Sequence, residues 1–182
     1  MIPCHRTNYQ VGRSSAIKYL VIHYTANNGD TAKGNCSYSQ RNPGLYKSAH
    51  YFVDENGWEQ SVLDTDTAWH CGANTYRHPE CRNSNSLGIE LCSRKDTKGT
   101  YYFLPETIQN AAELVRMLMA RYGVSIKNVL RHYDVTGKVC PEPFVRDEGA
   151  WQAFLQELEE EPMTQAQFNA MMASWLEQQA RK

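Results

Sequence analysis

The run Ile17-Lys18-Tyr19-Leu20-Val21-Ile22-His23-Tyr24 constrains this chain more than any other segment. It is short, β-branched and aromatic, and reads as a buried strand, yet it carries an imidazole near its end where alternation favours an apolar side chain. Ser86-Leu87-Gly88-Ile89-Glu90-Leu91-Cys92 repeats the pattern as a second core strand, with one carboxylate set in an apolar run. Asn128-Val129-Leu130-Arg131-His132 is a third, shorter strand that ends on a histidine and runs into a loop containing Gly137 and Pro141.

The intervening segments supply helices. After Pro105, the residues Ile108, Ala111, Ala112, Val115, Leu118, Met119 and Tyr122 recur at helical spacing, and Gly123 is placed to cap the C-terminus. Trp151, Phe154, Leu155 and Leu158 mark a last core helix. Thr31 to Gln40 is a weaker helix, since Gly34 and Asn35 interrupt it. His50 to Asp54 and Trp58 to Leu63 form a hairpin about Glu55-Asn56-Gly57, whose Asn-Gly pair is suited to positive φ angles. Residues 64–85 are loop-like, and a loop of that length inside a compact domain usually binds something. Strands alternating with helices define an α/β domain around a central sheet.

A domain edge falls at the acidic run Glu159-Glu160-Glu161 and Pro162, giving a core of residues 1–160 and a C-terminal segment of residues 161–182. In that segment Thr164 with Gln167 makes a capping box and Met163 with Phe168 a hydrophobic staple. Phe168, Met171, Met172, Trp175 and Leu176 form one apolar stripe on a helix too short to stand alone. It is expected to begin a truncated cell-wall-binding or oligomerisation module, to self-associate, or to pack back on the core.

The formal net charge is −1 and the basic residues are scattered, which argues against nucleic acid as a partner. No apolar run is long enough to insert in a membrane. Met1 to Arg6 lacks the apolar core of a secretory signal, so synthesis in the cytoplasm is expected, with release by another agent if the chain acts outside. Such a start favours free thiols for the six cysteines, although Cys71 and Cys81 are close enough to bridge one loop.

His23 alone reads as readily as a hydrogen-bonded core histidine. His132 and Cys140, a strand end and a residue one loop later, change that reading. Two imidazoles and a thiolate suit zinc better than magnesium or calcium, and three protein ligands leave the fourth tetrahedral position for water, as in catalytic zinc sites.

Four segments then occur in a familiar order: Val21-Ile22-His23-Tyr24-Thr25-Ala26, Ser48-Ala49-His50-Tyr51-Phe52-Val53, Leu87-Gly88-Ile89-Glu90, and Arg131 to Pro141. Over residues 1–160 the chain resembles the type 2 N-acetylmuramoyl-L-alanine amidases, above all phage and prophage endolysins, whose fold peptidoglycan-recognition proteins share. The resemblance implies a mixed central sheet flanked by helices, and one Zn2+ held by His23, His132 and Cys140. It implies Glu90 as general base, its pKa raised by apolar surroundings, and Lys138 as the cation facing the oxyanion. His50 stands where some short phage amidases have a tyrosine beside the metal, and Trp69 and His70 lie where relatives keep a groove-lining loop. The substrate implied is peptidoglycan, glycan strand plus stem peptide, reached at the cell wall after holin-type release or lysis. Two rival readings are a non-catalytic peptidoglycan-binding module and a cytosolic muropeptide-recycling amidase. Cys140 weighs against both, since a binding module could lose it and the recycling relatives use Asp there.

Overall fold

A computed structural model describes residues 1–159 and 165–180. In chain order the elements are β1 (Tyr9–Gln10), β2 (Tyr19–Tyr24), α1 (Ala32–Arg41), β3 (Tyr51–Asp54), β4 (Gly57–Gln60), β5 (Thr67–Ala68), β6 (Ser86–Leu91), β7 (Arg94–Lys95) and β8 (Tyr101–Tyr102). These are followed by α2 (Pro105–Tyr122), β9 (Val129–Arg131), α3 (His132–Thr136), α4 (Glu142–Arg146), α5 (Glu148–Glu159) and α6 (Gln165–Ala180). The main sheet has five strands in the order β4-β3-β6-β2-β9. β3 and β4 are antiparallel, whereas β3–β6, β6–β2 and β2–β9 are parallel. The sheet is thus mixed and central, as the resemblance implied.

Alternation along the strands divides the sheet into two faces. Leu20 and Ile22, Leu87, Ile89 and Leu91, and Tyr51 and Val53 point to one side. There they bury against Leu114, Val115 and Leu118 of α2 and Trp151, Phe154 and Leu158 of α5. Phe144 of α4 closes this core, with ring centroids 5.2–5.6 Å from Phe103, Trp151 and Phe154. Each of these large side chains contributes about 1.5–3 kcal/mol by leaving water. The opposite face carries Val21 and His23, Gly88 and Glu90, and Phe52, the last packed under Ala32 and Cys36 of α1. One face is therefore spent on stability, which frees the other for polar groups.

Two local outcomes differ from the sequence reading. At the hairpin only Gly57 takes a positive φ (126°), and Asp54 stabilises the turn by accepting from the Asn56 N–H at 2.8 Å. His132 does not end a strand but opens α3, because the Asp134 carboxylate caps the Arg131 N–H at 2.8 Å and turns the chain into a helix. All six cysteines are free thiols, as the sequence reading favoured, Cys71 and Cys81 included. The weak helix α1 does form, its N-cap Thr31 accepting from the Gly34 N–H at 3.0 Å. Gly123 caps α2 in the left-handed conformation, as expected.

The capping box Thr164–Gln167, the staple Met163–Phe168 and the side chains of Phe168 and Met171 lie outside the described residues. Of the remaining stripe, Met172 packs against the main core and Leu176 is exposed. No helix among the described residues is long and apolar enough to cross a membrane.

Candidate metal centre and active-site cleft

Strand register assembles the site. His23 pairs with Glu90 across β2 and β6, and Glu90 pairs with Phe52 across β3. Ile22 pairs with Arg131, so the next residue along, His132, comes up beside His23. Phe52, Glu90, His23 and His132 therefore form one row across the sheet, and all four line the same cleft of about 730 Å³. The His23 and His132 rings meet edge-to-face, with centroids 4.6 Å apart.

Cys140 reaches this row through the loop after α3. Gly137 ends that helix at φ 87°, a left-handed conformation that reverses the chain. The Tyr133 N–H then donates to the Cys140 carbonyl at 2.9 Å and closes the loop. Arg131 fixes the base of the loop by donating to Asp134 (3.0 Å), Glu148 (2.6 Å) and the Phe144 carbonyl (3.0 Å). As a result, one donor atom each from His23, His132 and Cys140 lies within 4.8 Å of the others, and all three residues are buried.

The donor set fits a zinc ion. The Nδ1 edge of His23 faces Cys140 Sγ at 3.7 Å. His132 Nδ1 is buried without a hydrogen-bond partner among the described residues, a costly state that a bound cation would relieve. Burial holds the His23 imidazole well below its usual range and pushes His132 down to about 4, so both rings are neutral and ready to ligate. Burial, with Glu90 nearby, pushes the Cys140 thiol up to about 12. Ligation must therefore displace that proton.

Glu90 sits in the same row with one oxygen, Oε2, buried and without a hydrogen-bond partner among the described residues. Burial raises its carboxyl from an ordinary 4.5 to about 8, against the opposing pull of Lys138 and Lys47. A carboxyl poised there can exchange a proton near neutrality. Lys138 is exposed at the mouth, where it lines both this cleft and an adjoining one of about 410 Å³. Trp69 and His70 also line both.

His50 is not brought into the cleft. Its ring is buried behind that of His70, with centroids 5.8 Å apart. The Gly88 N–H donates to its Nδ1 at 3.0 Å, while Nε2 lies 2.9 Å from Arg13 Nη2 and 3.3 Å from the Asp66 carbonyl. Both nitrogens are engaged, so the ring ties the β3 entrance to β6 and has no free edge for an oxyanion. Sequence reasoning missed Tyr46 and Lys47. Tyr46 is 79% exposed at φ 53° and stacks on Trp69 at 6.5 Å with 9° between planes, forming an aromatic wall beside the second cleft. The Asn42-Pro43-Gly44 turn marked a loop there but not its position against Trp69.

A mixed sheet thus brings two histidines, one cysteine and a carboxyl together in one cleft. Residues 13–143 match the family described as N-acetylmuramoyl-L-alanine amidase. The chain belongs to this family. It is 40% identical over 152 residues to a probable N-acetylmuramoyl-L-alanine amidase of Bacillus licheniformis, covering 77% of this chain and 40% of that protein. The chain thus spans about two fifths of the length of the curated relatives it matches first. The catalytic domain of XlyA superposes with a TM-score of 0.70 at 28% identity, covering 87% of this chain and 95% of that domain. AmiD of Escherichia coli, in complex with the substrate anhydro-N-acetylmuramic acid-L-Ala-D-γ-Glu-L-Lys, superposes with a TM-score of 0.59 at 29% identity, covering 79% of this chain and 59% of that one.

Proposed function

We propose that this chain hydrolyses the amide between N-acetylmuramic acid and L-alanine in peptidoglycan, acting on the wall as endolysins and autolysins do. The observation that carries the reading is the single row in which Glu90 stands directly opposite His23, with His132 and Cys140 in reach. His23, His132 and Cys140 would hold one zinc ion with a fourth position open to water. When bound, zinc supplies Lewis-acid polarisation of the carbonyl and a water acidified toward neutrality.

The chain's own residues do the rest. Glu90 takes the proton of the attacking water at its carboxylate and delivers it to the leaving amine of L-alanine. The Lys138 ammonium, free to swing at the cleft mouth, offsets the negative charge developing on the carbonyl oxygen. Trp69 with Tyr46 offers an aromatic wall for the saccharide, and the larger cleft takes the stem peptide. The intact donor set favours catalysis over a binding-only module, and a cysteine as third ligand favours the wall over recycled muropeptides. For the C-terminal helix, the packing of Met172 against the core supports the reading in which it folds back on this domain over a separate module or a self-association surface.

Digestion of purified cell walls with and without a chelator, followed by mass analysis, tests the proposal. Stem peptides with a free L-alanine amine, lost on chelation, are expected. New reducing sugar ends without free amines would refute it.

A further inference from the structure

Behind the metal centre, outside the reacting groups, runs a chain of hydrogen bonds whose direction is fixed at its far end. The Ser86 hydroxyl lies 2.7 Å from the Arg82 carbonyl oxygen, which can only accept, so Ser86 spends its proton there. Ser86 Oγ then presents lone pairs to His70 Nε2 at 3.1 Å, which places the proton of a neutral His70 ring on Nε2. His70 Nδ1 is left bare and lies 3.0 Å from His23 Nε2, so that nitrogen must be the donor. The remaining nitrogen of His23, Nδ1, carries its lone pair toward Cys140 Sγ at 3.7 Å.

The packing around His70 leaves the ring no alternative seat. A Cβ at position 88 would stand 2.4 Å from His70 Cγ and 2.8 Å from its Nδ1, so only glycine on β6 leaves the notch it occupies. The Asn83 side chain accepts from the His70 N–H at 3.1 Å and the Cys71 N–H at 2.9 Å, which pins the backbone of the segment. His50 backs the ring from the other side.

We propose that His70, held by Ser86, is a positioning residue that fixes His23 in its Nε2–H form with Nδ1 bare toward the metal position. This rests on the metal-site reading above and deepens it. The imidazole of the Trp69-His70 segment thus serves the ligand rather than the saccharide. Without that acceptor the His23 ring is free to flip or to take the other tautomer, and part of the population then offers an N–H where a donor atom is needed.

The test uses the full chain and begins without metal. Long-range proton–nitrogen correlation of the imidazoles should show both His23 and His70 as Nε2–H tautomers. Zinc affinity, measured by competition with a chromophoric chelator, should fall about ten- to hundredfold in His70→Phe. It should return to within about threefold of the parent in His70→Asn, whose Oδ1 can stand where Nδ1 stood. Ser86→Ala should populate the second His70 tautomer. A His23 Nδ1–H tautomer in the parent chain, or parent-like zinc affinity in His70→Phe, would overturn the proposal. A parent chain with the expected tautomers but no zinc binding would instead refute the metal-site reading, so the two failures are distinguishable. If His70→Phe does not fold, the parent tautomers and Ser86→Ala still decide.

Discussion

Replacing Glu90 by glutamine should make the metal-free protein more stable while abolishing its activity. Burial raises the Glu90 carboxyl from 4.5 to about 8. Between those values the folded state holds a proton that the unfolded state has released, so stability falls as pH rises through the window. At about 1.36 kcal/mol per pKa unit, the loss approaches about 5 kcal/mol above pH 8 and is about 3 kcal/mol at pH 7. Below pH 4.5 both states are protonated and the penalty vanishes. Glutamine has nearly the same shape and cannot ionise. Its stability relative to the parent should therefore be close to equal at pH 4, and should grow with pH up to about 8. Urea unfolding of both proteins in chelator, at intervals from pH 4 to pH 9, reads the difference directly. An advantage for Glu90→Gln that does not grow with pH would refute the claim that Glu90 is held protonated by its surroundings.

Lys138→Ala should lower the rate of wall cleavage about a hundredfold, near 3 kcal/mol, with zinc content unchanged by elemental analysis. Arg131→Ala removes the bonds to Asp134, Glu148 and the Phe144 carbonyl. Glu148 is largely exposed, so a loss of about 2–3 kcal/mol in urea unfolding is expected, chiefly from the Asp134 and carbonyl arms. Zinc binding at pH 7 should release at least one proton per ion, because the Cys140 thiol, raised to about 12, holds its proton there until it ligates. Calorimetry in buffers of different ionisation enthalpy counts the protons, and binding without proton release at pH 7 would refute the thiol as a ligand.

What could be read from the sequence, and what could not, follows the physics of each element. The apolar runs ending in His23 and containing Glu90 announced themselves, because a polar group inside a core strand violates alternation. Nothing local says which residue of one strand stands beside which residue of another. That depends on parallel pairing between segments more than sixty positions apart. His50 shows the consequence: chemically it is as good a candidate as His23, but it lies just before β3, and its ring turns into the Gly88 and Asp66 backbone. His70 was found for its neighbourhood to Trp69. Its contact with His23 required the glycine notch on β6, which is visible only in three dimensions. His132 was placed at a strand end because the apolar run stopped there, while the Asp134 cap that turns it into a helix acts three residues later.

The same pairing explains why the centre forms at this end of the sheet. Ligand sites in open α/β sheets lie beyond the carboxyl ends of parallel strands. Here β2 and β6 contribute their penultimate residues and β9 the residue just past its end. Backbone ladders therefore set the spacing of His23, Glu90 and His132 before any ion arrives. A slip of one residue in β6 would bring Ile89 or Leu91 opposite His23 and turn Glu90 into the α2 core, which burial forbids. The apolar face thus enforces the polar row. Cys140 alone arrives by a loop, held by one backbone bond to Tyr133 and by the Arg131 anchor at its base. It is the donor whose position the sheet does not dictate and the one that must lose a proton to ligate, so small losses of loop order should be felt first in metal affinity and only later in fold stability.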